Sequence, residues 1–378
     1  MSGVRVVFDG YWLVDGPPSG RNVEHSTIAT WARTHPEDDL VVAVPVPDGE
    51  RAPLVDGLPV TRRFVAPGPL RNHQVWVRTR LGRAAADVRA DVVVSQHFTP
   101  TGAARAVRGA FAYDAIFRDH PEWFTRAENL YLRAGFADTM RRADFVFTEC
   151  ETELARLERL YPAARGKVVT TGLGVPLGVA SAAAAPVDTV GGRPFILSVG
   201  RLNVRKNLAR LIAAYRSSPL LTAAFDLAVV GESNGRAAEL DSNGPGTVRL
   251  LGGVDDAQLR WLYERAALFV MPSLDEGFGL PVLEAKTFGV PTAASDIAVF
   301  RELALADAYF DPMRVESIRG CLERLLDGAP APASAPADLE RFTWERLVET
   351  TRAALTGAGA STAEPTAVTA PADLGVTA

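Results

Sequence analysis

The chain has 378 residues, 47% of them hydrophobic and 22% charged, with a net charge of −5 and an isoelectric point near 5.7. That acid excess argues against general nucleic-acid binding, which rests on a basic surplus, and no apolar run approaches the roughly 18 residues of a membrane span. Two cysteines, Cys150 and Cys321, are too few for a disulfide framework or a thiolate metal site. The length suits two domains of roughly 100 to 200 residues each. The opening Val4-Arg5-Val6-Val7-Phe8 reads as a first strand rather than a secretory signal, so a cytoplasmic location is expected.

Short β-rich runs alternate with helix-length stretches from the start: Val4 to Phe8, Leu40 to Val44, Asp91 to Ser95 and Asp144 to Thr148. The alternation predicts a parallel sheet covered by helices. Before the third run, Arg78, Arg80, Arg83 and Arg89 interleave with Trp76, Val77, Leu81 and Val88. This basic helical face is either solvated or a contact for an anionic membrane surface at its inner, cytoplasmic side. Residues 178–193, rich in Ala, Gly and Val with Pro186, read as a linker.

The second half repeats the pattern with Phe195 to Val199, Asp226 to Val230, Val248 to Leu251, Leu268 to Met271 and Pro291 to Ala294. Leu208, Leu211, Ile212 and Tyr215 fall at helical spacing, as do Leu259, Leu262, Tyr263 and Ala266 after Asp256, the expected N-cap. A Gly-rich turn then leads into Pro281, which suits the first position of a helix and puts Glu284 in its first turn. A last helix over about 344–355 follows a Pro/Ala-rich connection, and residues 356–378, with almost no large apolar side chains, are expected to be disordered. The predicted fold is α/β with two Rossmann-like domains, residues 1–178 and 194–337, joined by 179–193 and followed by the helix at 338–355. A cleft would lie between the carboxyl ends of the two sheets.

Two constellations carry chemistry. Glu276 and Glu284 bracket Glu-Gly-Phe-Gly-Leu-Pro-Val-Leu-Glu, where a glycine turn opens onto a helix amino terminus. Its unpaired N–H groups and positive dipole end suit a phosphate, and the two acids can accept hydrogen bonds from sugar hydroxyls. A plain tight turn with Glu284 as a helix-start acid is the alternative. Arg201, Arg205 and Lys206 form the second set, between a strand end and the helix carrying Leu208. Cations there oppose the helix dipole unless an anion joins them. Lys167, Lys206 and Lys286 are the chain's three lysines, so a lysine at this place weighs more than another arginine would.

Gly200-Arg201-Leu202, Lys206-Asn207, Gly252 with the helix after Asp256, Pro272-Ser273, the Glu276–Glu284 stretch, Gly289-Val290-Pro291 and Ser295-Asp296 follow one another in order. Together they resemble the donor domain of a glycosyltransferase of family 4, the group 1 glycosyl transferases, a retaining class with the two-domain GT-B fold. The resemblance covers 194–312. It is looser in the first half, through Gly20, the segment from Tyr113-Asp114 to Phe124, and the strand at Asp144 to Thr148, and it implies that residues 1–178 are the acceptor domain and 194–337 the nucleotide-sugar donor domain. It implies that Arg201 and Lys206 neutralise the donor diphosphate and that Glu284 binds the ribose hydroxyls. Glu276 and the backbone of Gly277, Phe278 and Gly279 would face the donor sugar and its phosphate. The loop of Gly16 to Asn22, with Gly20, would close over the phosphates, and the helix of Trp344 would cross back to the first domain. No Asp-x-Asp occurs in the chain, so no metal or other cofactor is expected beyond a GDP- or UDP-linked sugar donor. The implied activity is hexosyl transfer, with mannosyl favoured, to a hydroxyl of a glycan, lipid-linked or small-molecule acceptor.

One departure stands out. Phe111-Ala112-Tyr113-Asp114-Ala115-Ile116-Phe117 matches a family segment that usually reads His-Asp at its centre, and Tyr113 stays neutral where a histidine could carry charge. Asp114 is the candidate to orient an acceptor hydroxyl or the donor sugar. His97 and His120 are given no catalytic role. The substitution at Tyr113 leaves open a catalytically impaired nucleotide-sugar-binding partner, and another enzyme on the same fold, such as an epimerase or a glycan phosphorylase, is a third reading.

Overall fold

In the computed structural model, which describes residues 3–46, 51–64, 72–102, 105–232, 244–327 and 339–357, the β-rich runs form two parallel sheets. The first has seven strands: β1 (Arg5–Asp9), β2 (Asp39–Val44), β3 (Thr61–Phe64), β4 (Val92–Gln96), β5 (Val107–Phe111), β6 (Phe145–Thr148) and β7 (Val168–Thr170), ordered 3-2-1-4-5-6-7. The second has six: β8 (Phe195–Val199), β9 (Asp226–Val230), β10 (Val248–Gly252), β11 (Leu268–Met271), β12 (Thr292–Ser295) and β13 (Ala308–Phe310), ordered 10-9-8-11-12-13. Val-rich β1, β2 and β4 are buried along nearly their whole length, as sheets covered on both faces require. Strand order reverses once in each sheet, between β1 and β4 and between β8 and β11. At those points the flanking connections leave on opposite faces and open a crevice at the carboxyl ends. In register, Val6, Val7 and Phe8 pair with Val92, Val93 and Val94, and Ile196 and Leu197 with Leu268 and Phe269.

The helices that matter for the site are α1 (Pro18–Thr34), α2 (Arg126–Arg142), α3 (Glu151–Leu160), α4 (Leu208–Arg216), α5 (Asp256–Arg265), α6 (Leu280–Thr287) and α7 (Trp344–Thr356). Helix α7 packs on α1, β5 and β6, elements of the first sheet's layer. Trp344 Nε1 donates to Val175 O at 2.6 Å, and Arg352 grips Asp38 through Nε (2.7 Å) and Nη2 (2.9 Å). Asp38 also accepts from Trp31 Nε1 and Val4 N, so this buried carboxylate is fully used. The two sheets' layers also meet directly. Glu302 accepts from the N–H groups of Glu151 and Thr152, both at 2.7 Å, at the start of α3, where orphan donors favour an acid. Arg156 reaches Asp275 at 2.7 Å, and the buried Cys150 thiol donates to Gly277 O at 3.2 Å.

Several local expectations are corrected. The N-cap of α5 is Asp255, whose side chain accepts from Gln258 N at 2.8 Å in a capping box; Asp256 is the first helical residue, because only Asp255 has the extended backbone a cap needs. Pro281 is the second residue of α6 rather than the first, which leaves Glu284 past the first turn. Residues 177–181, partly in the expected linker, are helical, and Val179, Val187 and Val190 are buried. Pro18 starts α1 at its preferred position, so Gly20, Arg21 and Asn22 are helical rather than in a loop. The arginine-rich stretch is helical from His73 to Asp87 with a wide turn over Val77–Leu81, but Arg89 lies beyond it at positive φ and Arg78 pairs with Asp138 at 2.6 Å. The connection at 328–337 and the expected disordered tail lie outside the described residues, save 356–357, which end α7. Among the described residues, no helix is long and apolar enough to cross a membrane.

Candidate active site

The crevice between β8 and β11 gathers the second-half motifs. After β8, Asn203 caps a single turn over Val204–Lys206 by accepting from Lys206 N at 3.2 Å. Asn207 then takes the left-handed conformation at φ 54°, which asparagine tolerates, and its amide donates to Pro272 O (3.0 Å) and Pro312 O (2.8 Å). These bonds fasten the turn after β8 to the loops after β11 and β13. Lys206 Nζ then lies 2.5 Å from Glu276 Oε1, Ser273 Oγ donates to the same oxygen at 2.6 Å, and Arg205 Nη1 pairs with Oε2. Arg205 Nη1 also donates to Asp275 O at 2.8 Å. Arg201, by contrast, makes no ion pair among the described residues.

Charge and burial work against each other here. Burial would raise the Glu276 carboxyl, but Arg205, Lys206 and the Ser273 hydroxyl outweigh it and hold it down to about 2. Burial pulls the Lys206 ammonium down to about 8, against the opposite pull of Glu276 and with that of Arg205 and Arg201. Two cations thus pair with one carboxylate, and Arg201 stands beside them without a carboxylate of its own among the described residues. The surplus positive charge, the N–H groups at the start of α6 and its dipole all favour an anion in the crevice.

Two glycines shape the turn. Gly279, the N-cap of α6, has φ 100°, and a Cβ there would stand 2.4 Å from Phe300 Cε1. Gly277 faces the first domain: a Cβ would stand 2.8 Å from Tyr113 O, 3.0 Å from Glu149 Oε2 and 3.1 Å from Asp114 Cβ. The turn before α6 and the Tyr113-Asp114 segment therefore meet across the cleft, as close as backbone allows. Burial raises the Asp114 carboxyl, with Arg205 pulling it back. Tyr113 donates from its hydroxyl to Gln96 Oε1 at 2.7 Å and stacks on Trp12 at 5.7 Å. Its ring therefore packs into the first domain while its carbonyl faces the second.

Of the residues singled out in the sequence, Lys206, Glu276, Gly277 and Asp114 come together, with Arg201 at the edge and Phe278 and Gly279 leading into α6. Glu284 is separate from this cluster. It is buried, accepts from the Tyr263 hydroxyl at 2.6 Å, and is raised to about 7 by burial, with Tyr263 opposing and Asp256 adding. Gly20 packs against Trp12, where a Cβ would be 2.5 Å from Cε3; it shapes the first domain's crevice and touches no part of the turn after β8. His120 stacks on Trp123 at 3.9 Å. Sequence reasoning passed over Tyr263, whose hydroxyl was the one polar tip in an apolar stripe. It also missed Glu149, which carried no signal, and Glu24. One His/Asp/Glu group among the described residues has metal-compatible spacing, His35, Glu37 and Asp38, but it belongs to the docking of Arg352 on Asp38.

Residues 183–334 match the family described as Glycosyl transferases group 1. Over those residues the chain carries that family's sequence pattern. It is 28% identical over 249 residues to the O-antigen chain mannosyltransferase B of Escherichia coli, covering 61% of this chain and 65% of that protein. To a D-inositol 3-phosphate glycosyltransferase of Acidothermus cellulolyticus it is 30% identical over 251 residues, 57% of this chain and 53% of the other. The chain therefore spans less than two thirds of either relative. The structure of Anabaena Alr3699/HepE in complex with UDP and glucose superposes with a TM-score of 0.67 at 15% identity, covering 93% of this chain and 99% of that one. The two sheets with facing crevices are thus a GT-B fold.

Proposed function

We propose that the protein is a retaining, metal-independent glycosyltransferase that moves a hexosyl unit from a nucleoside diphosphate to a hydroxyl of a glycan, lipid-linked or small-molecule acceptor. Mannosyl is the first candidate, because a relative sharing over half of this chain bears that name. Lys206 and Arg201 bind the donor diphosphate, with Arg205 fixing Glu276 beneath it. As the sugar leaves, charge builds on the phosphate, and these cations with the amino terminus of α6 stabilise it without reorganising. Glu284 takes the ribose hydroxyls, while Glu276 and Asp114 hold the donor sugar and acceptor hydroxyl where the two domains meet. The observation that carries the reading is the pairing of Arg205 and Lys206 with the single carboxylate of Glu276, with Arg201 unpaired among the described residues and near enough to act on both cations.

Calorimetric titration with GDP, UDP, ADP and dTDP tests it. One nucleotide is expected to bind selectively, with Lys206→Ala abolishing the heat. Failure of all four to bind a folded protein would overturn the proposal. Binding without turnover of any sugar nucleotide would leave a catalytically impaired binding partner instead.

A further inference from the structure

The crevice between β1 and β4 holds buried polar atoms that the donor reading does not use. Glu24 of α1 is 1% exposed, yet neither carboxylate oxygen has a hydrogen-bond partner among the described residues. Glu149, which follows β6, is 9% exposed with Oε2 equally unpartnered, and it is the atom 3.0 Å from where a Gly277 Cβ would stand. Nε2 of His97 is a third such buried atom. Tyr113 feels the charges of both Glu24 and Glu149. Trp12 forms a wall, stacked on Tyr113 and met edge-on by His97 at 4.8 Å. Asp9 is already occupied, by His73 Nε2 at 2.7 Å and by the N–H groups of Tyr11 and Gln96.

An unpartnered buried carboxyl costs stability, and burial pushes both Glu24 and Glu149 well above the usual carboxylate range. Groups kept at such cost in a switch-point crevice point to a ligand that completes them. What they offer is specific: carboxyl oxygens for hydroxyl or ammonium donors, and indole and phenol faces for the apolar side of a sugar ring. The charge acting on Glu24 is the Asp9 carboxylate, and those on Glu149 are Asp114, Glu153 and Glu276. Nothing in that set neutralises a phosphate.

Resting on the transferase reading above, we infer that Glu24 and Glu149 bind the acceptor's hydroxyl or amine groups in this crevice, and that the acceptor sugar is neutral or amine-bearing there rather than phosphorylated. Glu149, at the Gly277 turn, marks the end nearest the donor, and Glu24 the end away from it.

Saturation-transfer NMR on the full chain holding its nucleotide, with methyl α-D-mannopyranoside, D-glucosamine and mannose 6-phosphate as probes, tests this. The first two are expected to bind and the phosphate not. Glu24→Met should weaken the bound sugars about tenfold or more while raising the melting temperature, since it removes an unsatisfied buried acid. A merely structural Glu24 would instead lower the melting temperature in both Glu24→Met and Glu24→Gln, which overturns the inference. So does preferential binding of mannose 6-phosphate, unchanged affinity in Glu24→Met, or no binding by either uncharged or amino sugar. A wild-type protein that binds no nucleotide fails the transferase reading itself; nucleotide binding with any of these sugar results fails the acceptor assignment alone.

Discussion

At the crevice between β8 and β11, Glu276 accepts from Lys206, Ser273 and Arg205 together, and the loops carrying them are bolted by Asn207. At the crevice between β1 and β4, Glu24 and one oxygen of Glu149 are buried with no partner among the described residues. Both crevices arise from the same reversal of strand order, so topology does not set the difference; side chains do. The cation-rich crevice is preorganised around its own counter-charge and, on the proposed function, trades part of it for an incoming diphosphate. The acid-rich crevice is incomplete by itself. A donor that must be held through a change in charge calls for the first kind of site, and an acceptor recognised by hydroxyls calls for the second.

The comparison breaks most sharply at Lys206. Lys206→Ala removes the ammonium closest to Glu276 and should cut kcat/KM by roughly 10² to 10³, the range seen when one preorganised charge-stabilising group is lost. Steady-state kinetics with an intact melting curve checks it, and near-normal rates would show that the cation cluster serves the fold. Next in size is Gly277→Ala, which tests whether the crevices must approach each other. Its methyl would press on Tyr113 O and Glu149 Oε2, wedging the domains apart. We expect about a 10- to 100-fold fall in kcat, as small misplacements cause, with nucleotide affinity nearly unchanged because the atoms nearest the added methyl belong to the first domain and not to the cations. A parallel loss of nucleotide affinity would mean the turn itself had collapsed.

The cation-rich crevice was legible in the sequence because its residues sit in short ordered motifs, each tied to a strand end and a helix start. Lys206, Glu276 and the glycines could be placed from spacing alone. The acid-rich crevice was not, since Glu24, Glu149, Gln96 and Trp12 come from four separate segments and carry no local pattern. Strands such as β5, Val-Arg-Gly-Ala-Phe, escaped for a related reason: with Arg108 and Gly109 inside, they show neither an apolar run nor alternation. Where reading slipped by one residue, at Asp255 beside Asp256, two adjacent aspartates offered equal caps and only backbone conformation separates them.

A smaller effect follows from pH. Burial draws the Lys206 ammonium down to about 8, and on the proposed function the anion binds its protonated form. Affinity for the nucleoside diphosphate should therefore be flat below about pH 7.5 and fall up to tenfold per unit above pH 8, each unit of linked proton binding being worth a factor of ten. Lys206→Arg keeps its charge and should flatten that fall. Titrations at pH 7, 8 and 9 read it out, and a profile identical in both proteins would take Lys206 out of the anion site.

The smallest expected change is at Glu284, which is buried like the acids of the first crevice yet partnered by Tyr263. Its carboxyl is raised from its ordinary 4.5 to about 7, so the folded state binds the extra proton, and stability is fully present below pH 4.5 and declines as pH rises through 7. Glu284→Gln keeps an oxygen for the Tyr263 hydroxyl and removes that decline; its melting temperature should match or exceed wild type at pH 8. If Glu284 accepts from ribose hydroxyls, the ionised form is the stronger acceptor. The variant should then bind nucleotide a few-fold more weakly at pH 8 and nearly equally at pH 6, where the wild-type carboxyl is itself mostly neutral. A deficit of equal size at both pH values would place Glu284's contribution in shape rather than charge. No deficit at either would leave it as a structural partner of Tyr263, on the side of the molecule's core rather than its ligand.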